Sequence, residues 1–167
     1  MADQDGVLPA PSFETPPRVL VVAAPFYRRI ADGLLAGARR ALDAAGAEHE
    51  TVEVPGALEL GPAIRLAERG WDGFVALGCV IRGETSHYET VCEESARALT
   101  LLGVERGLCV GNGVLTCETR EQAEARAAPE RMDKGGGAAL ACLHLIALRR
   151  RFVEPRREIG FKPAERP

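Results

Sequence analysis

No apolar run in this chain is long enough to cross a bilayer. The opening residues, MADQDGVLPAPSFETPP, hold no basic segment followed by an apolar one, so no signal peptide is read there. Aromatic residues make up only 5% and net charge is -3. With few rings for stacking and no basic field, the sequence reads as neither a nucleic-acid binder nor a membrane protein. Five cysteines are scattered at Cys79, Cys92, Cys109, Cys117 and Cys142, with no C-x-x-C pair. An odd, dispersed set makes neither a disulfide framework nor a zinc site. Several fall in apolar stretches, where a reduced thiol acts as a small hydrophobe. The expectation is a reduced, cytoplasmic protein.

What is present is ordinary globular composition over 167 residues, enough for one domain with a core. Residues 1–17 contain four prolines and little periodicity, and are expected to form an extended or disordered arm. Residues 18–152 read as the folded domain, and the charged residues 153–167 as a loose tail. RVLVVAA reads as a buried strand. YRRIADGLLAGARRALDAAG follows, with Ile30, Leu34, Ala38 and Leu42 at helical spacing and Gly46 as a stop. HETVEVPG, GFVALGCVI and LCVGNGVLT read as three further strands. LELGPAIRLAERG, SHYETVCEESARALTLLG, CETREQAEARAA and DKGGGAALACLHLIALRRRF read as helices. Pro62 is tolerated only in a first turn. Ser86 with Glu89 three residues on has capping-box spacing. Thr116 or Glu118 is read as opening the short fourth helix, and Asp133 as a cap for the last one. Alternation of strands and helices implies an α/β fold with a parallel sheet covered on both faces.

In such sheets ligands bind beyond the carboxyl ends of the strands. Those ends carry Pro25-Phe26-Tyr27, Pro55 to Glu59, Arg82 to His87, and Gly111-Asn112-Gly113. Gly83 permits close backbone approach, and the amides of Glu84, Thr85 and Ser86 at a helix start favour an anion such as phosphate. His87 in the first turn is placed to move protons. The bland alternative is a capping serine followed by a surface histidine. Phe26 stacks on a flat ring or is a core-rim aromatic. Glu59 accepts hydroxyls or complements the helix dipole. Arg126 and Lys134 flank the Pro129 bend and either meet an anionic substrate or line a solvated face. Three glycines in KGGG point to tight packing or a bend. No P-loop pattern is present, and the G-x-G at Gly111 and Gly113 is too weak to imply dinucleotide binding.

FYRRIADGLLAGA, VPGALELGPAIRLA, GFVALGCVIRGETSHYETVCEESARAL, GNGVLTCETREQAEARA and DKGGGAALACL together make the sequence resemble the 6,7-dimethyl-8-ribityllumazine synthase family of riboflavin biosynthesis. The similarity runs from about residue 18 to residue 150. It favours the functional reading at each matched position. It implies a flavodoxin-like three-layer α/β/α fold with a four-stranded parallel sheet in order 2-1-3-4, and no cofactor and no metal. It implies a transferase that condenses 5-amino-6-(D-ribitylamino)uracil with 3,4-dihydroxy-2-butanone 4-phosphate to the lumazine, releasing phosphate and water. By position, Phe26 stacks on the pyrimidine. Ala57, Leu58 and Glu59 line the ribityl chain, and Cys79, Val80 and Ile81 hold the pyrimidine edge. Glu84, Thr85 and Arg126 bind phosphate, with Lys134 nearby, and His87 transfers protons.

The resemblance also implies a homo-oligomer with active sites between subunits. A pentamer is favoured, because proline and charge in AAPERMD replace the Gly/Asn-rich bend of shell formers; decamers and shells of sixty are the other family assemblies. The proline-rich arm is a poor strand donor to a neighbouring sheet. Asn112 stands where many members carry an aromatic that reaches the neighbouring site, and Tyr27 replaces a frequent Asn. The competing reading is a non-catalytic flavin- or lumazine-binding scaffold on the same fold. Retention of both His87 and Arg126 favours the enzyme.

Overall fold

The computed structural model describes residues 8–153; the rest of the expected arm and the tail from residue 154 lie outside the described residues. Four strands form one parallel sheet: β1 (Arg18–Ala23), β2 (Glu48–Glu53), β3 (Gly73–Ile81) and β4 (Val110–Cys117). Their order is β2-β1-β3-β4, as expected. Five helices connect and cover them: α1 (Arg28–Ala44), α2 (Leu60–Leu66), α3 (His87–Arg106), α4 (Arg120–Ala127) and α5 (Lys134–Val153).

Strand alternation sorts the core into two layers. Val19, Val21, Val75, Leu77 and Leu115 pack with Leu34, Ala38, Ala127 and Leu143 of α1, α4 and α5. Leu20, Val22, Phe74 and Ala76 pack with Leu60, Ile64, Leu99 and Leu102 of α2 and α3. β3 is central and buried on both faces, which is why its sequence is nearly unbroken apolar. Edge strand β2 is polar and mostly exposed.

The KGGG stretch resolves into packing. A Cβ on Gly135 would stand 2.0 Å from the Leu34 carbonyl oxygen, so α5 lies directly on α1. Gly135→Ala is therefore expected to lower stability by about 1–3 kcal/mol through overpacking. Gly137, where an added Cβ meets nothing within 4 Å, is the contrast. Gly137→Ala should be neutral or raise stability by up to about 1 kcal/mol through helix propensity. Urea denaturation of the two variants separates the cases.

Three local expectations need correction. Ser86 precedes α3 in a helical conformation and its side chain makes no cap bond, so the capping box does not form. Thr119, rather than Thr116 or Glu118, opens α4; its hydroxyl accepts from the Gln122 amide at 3.3 Å. LELGPAIRLAERG starts as a 3-10 turn at Ala57–Glu59, and the α-helix then ends at Leu66. Pro62 does lie in that helix's first turn, and Asp133 does cap α5 by accepting from the Gly136 amide at 3.2 Å. The described part of the arm forms no regular element, yet it is anchored. Phe13 packs on the core, and the Arg150 guanidinium donates to the Thr15 carbonyl at 2.7 Å.

Candidate active site

Three carboxyl-end segments converge on one cleft of about 340 Å³. β1 ends in Ala24 and Pro25 and turns outward, leaving Phe26 73% exposed. That exposure removes it from the core rim. Its ring meets Tyr27 edge-on at 5.1 Å, and both line the cleft. The turn after β2 contributes Gly56, Ala57, Leu58 and Glu59. β3 contributes Cys79, Val80 and Ile81, followed by Gly83, Thr85 and His87. Tyr88 and Val91 close the wall.

α3 begins at His87, and the Ser86 side chain caps none of its amides. An uncapped start of a long helix leaves N–H groups and the positive dipole end facing outward. The His87 amide makes a long bond to the Thr85 hydroxyl, at 3.4 Å. A Cβ on Gly83 would meet nothing within 4 Å, so its backbone faces open space. Next to this turn sits Arg82. Its Nε donates to Glu118 Oε2 at 2.7 Å, a second nitrogen donates to Glu89 Oε1, and the guanidinium lies 4.2 Å from the Tyr88 ring centre. The Arg82 guanidinium holds the Glu89 carboxyl below the usual carboxylate range. Burial pushes the Cys79 thiol up to about 12, so it is neutral at physiological pH and unsuited to nucleophilic work. Burial likewise raises the Tyr88 phenol.

Among the sequence candidates, Phe26, Ala57, Leu58, Glu59, Cys79, Val80, Ile81, Thr85 and His87 line this cleft. Glu84 is exposed in the adjoining turn without lining it. Asn112 lies on the open face of edge strand β4, its side-chain oxygen accepting from the Val114 amide at 2.9 Å. Arg126 is on α4, donating to the Gln122 carbonyl at 3.0 Å. Lys134 is exposed at the start of α5. None of these last three lines the cleft. Tyr27 and Gly56, read at the strand ends without a role, also line it, and sequence reasoning missed Tyr88 and Val91. Val91 was findable, since it lies four residues beyond His87 and so on the same helix face.

Fold and cleft together define a class: a doubly wound α/β enzyme with its ligand cleft at the carboxyl edge of the sheet and an imidazole at the cleft wall. Within that class the chain is specific. Residues 16–150 match the family model for 6,7-dimethyl-8-ribityllumazine synthase, and the chain belongs to that family. It is 56% identical over 161 residues to the 6,7-dimethyl-8-ribityllumazine synthase of Jannaschia sp. (strain CCS1), covering 95% of this chain and 90% of the relative. It is 52% identical over 143 residues to that of Bartonella tribocorum, covering 84% and 95%. Identity to 6,7-dimethyl-8-ribityllumazine synthase 1 of Rhizobium meliloti (strain 1021) is 53% over 144 residues, covering 82% and 94%.

Proposed function

We propose that the protein condenses 5-amino-6-(D-ribitylamino)uracil with 3,4-dihydroxy-2-butanone 4-phosphate, forming 6,7-dimethyl-8-ribityllumazine, phosphate and water. The observation that carries this reading is the single cleft that gathers an exposed ring, a carboxylate, a helix start and an imidazole. Phe26 stacks on the pyrimidine. Glu59 accepts ribityl hydroxyls beside Ala57 and Leu58. Backbone groups of Cys79, Val80 and Ile81 hold the ring edge. Thr85 and the amides of the Gly83–His87 turn, Glu84 included, take the phosphate.

The steps balance with acid–base chemistry alone. The amine adds to the ketone, giving a carbinolamine that loses water. Phosphate leaves by elimination, and the remaining nitrogen closes the ring on the carbonyl with loss of a second water. His87 moves the protons, and positioning of two substrates in register supplies much of the rate.

Among the described residues no lysine or arginine lines the cleft, yet a dianionic leaving group calls for one. A second copy of the chain answers this. Arg126 and Lys134 of a neighbouring protomer complete the phosphate site, and Asn112 on the open β4 face reaches the same site. The active form is a homo-oligomer, with a pentamer favoured over a decamer or a sixty-subunit shell. No described helix is long and apolar enough to cross a membrane, and cytoplasmic location is part of this reading.

The test mixes the protein with both substrates and follows lumazine absorbance. Product formation supports the enzyme; tight lumazine binding without turnover would transfer support to the scaffold reading. A finer prediction concerns Gly83. Open space there means Gly83→Ala should leave the melting temperature unchanged. The added methyl should raise KM for the phosphorylated ketose about tenfold, the effect of one weakened charge-assisted hydrogen bond. KM for the aminouracil should not move.

A further inference from the structure

We propose that Arg82 is a positioning residue, whose guanidinium ties down Glu89 and Glu118 and keeps both carboxylates off the anion-binding turn of residues 83–87. The inference rests on the phosphate role proposed for that turn.

Arg82 does not line the cleft, so it is not a direct ligand of what binds there. Its backbone is fixed, because its amide donates to the Cys117 carbonyl at 3.0 Å and extends the β3–β4 ladder. From that anchor the guanidinium bridges two elements. It meets Glu89 in the first turn of α3, two residues beyond His87, and Glu118 in the segment that leads from β4 into α4. The Tyr88 ring lies beneath it at 4.2 Å. Surface ion pairs in isolation contribute little. Here one planar fork satisfies two carboxylates and stacks on a ring, a geometry that suits arginine and not lysine.

The Glu118 amide also donates to the Gln122 side chain at 3.0 Å, so the tie continues into α4. Glu89 has a further constraint. Its second oxygen, Oε2, is buried and has no partner among the described residues. Without Arg82 the Glu89 carboxylate would sit part-buried and uncompensated, and would swing toward solvent. The turn at Gly83–His87 adjoins Arg82 in the chain, and two loose negative charges there would repel a phosphate ester.

The experiment measures KM for each substrate and, independently of turnover, calorimetric binding of inorganic phosphate. It uses the parent, Arg82→Met, Arg82→Lys, and Arg82→Met combined with Glu89→Gln and Glu118→Gln. Light scattering checks that assembly is retained. Arg82→Met should raise KM for the phosphorylated ketose and Kd for phosphate about 10- to 100-fold, while KM for the aminouracil stays within about twofold. Arg82→Lys should fall between parent and Met. The triple variant should return to within about threefold of the parent, since the carboxylates it no longer masks are gone. Unchanged phosphate affinity in Arg82→Met and Arg82→Lys overturns the inference. So does a triple variant as impaired as Arg82→Met, which would mark a merely structural role. If Arg82→Met fails to assemble, Arg82→Lys and the triple variant still decide. A parent that binds phosphate but makes no product would remove the proposed function and leave this inference standing.

Discussion

His87→Ala is expected to lower kcat by about 10²–10⁴-fold, the usual span for removing a positioned proton carrier. KM for both substrates should change little. Each bond change in the condensation moves a proton: carbinolamine formation, its dehydration, phosphate elimination and ring closure. The other titratable groups of the cleft are poorly suited to that work. Cys79 is held neutral by burial, with its thiol pushed up to about 12. Tyr88 is likewise driven toward its neutral form. Glu59 sits in the 3-10 turn after β2, proposed for ribityl hydroxyls. Imidazole is the side chain that exchanges protons near neutral pH. His87→Gln, which keeps a hydrogen-bonding side chain without titrating, should fall with the alanine variant. A full-activity glutamine variant would reduce His87 to a hydrogen-bonding post. Single-turnover absorbance measurements give the rates.

Arg126→Ala is expected to act on the other parameter. Removing a fork that pairs with a desolvated phosphate costs about 2–5 kcal/mol, or roughly a 30- to 4,000-fold loss in kcat/KM for the phosphorylated ketose. Most of it should appear in KM. The aminouracil KM should hold. Arg126→Lys keeps the charge and loses the fork, and should recover part of the loss. In the chain's own fold Arg126 donates to the Gln122 carbonyl on the same helix, away from the cleft lining. A strong kinetic effect from a residue so placed requires that it serve a different protomer's cleft. Steady-state kinetics with each substrate varied in turn read both constants.

Much of this was legible in the sequence, for identifiable reasons. β3 was bounded correctly at Gly73–Ile81 because a strand buried on both faces is written as an unbroken apolar run. Sheet order and the match between strand ends and cleft came through the family resemblance and the carboxyl-end rule. Helix starts were read poorly. Ser86 has the right identity and position for a cap, but its backbone is helical rather than extended and its side chain makes no cap bond. Glu89 has the right spacing for a capping box, yet its carboxylate is taken by Arg82. An ion pair to a residue seven positions back takes the carboxylate that the local hydrogen bond would have used. The glycines of KGGG left tight packing and a bend open; Gly135 settles on packing, as a close approach between α1 and α5. Arg82 was read as part of a strand end, but its ion pairs were not, because one partner lies 36 residues away and the other was read as half of a capping box.

In the proposed site, His87 of one protomer and Arg126 of another act on the same bound phosphate ester. Mixing the two crippled variants measures this directly. His87→Ala and Arg126→Ala proteins are unfolded, combined in equal amounts and refolded together, and lumazine formation is followed. Random assortment places an intact His87 beside a neighbour's intact Arg126 in about a quarter of the sites, so activity should rise to about that share of the parent's. Mixed assemblies that form but stay no more active than the two variants refolded separately would contradict the claim.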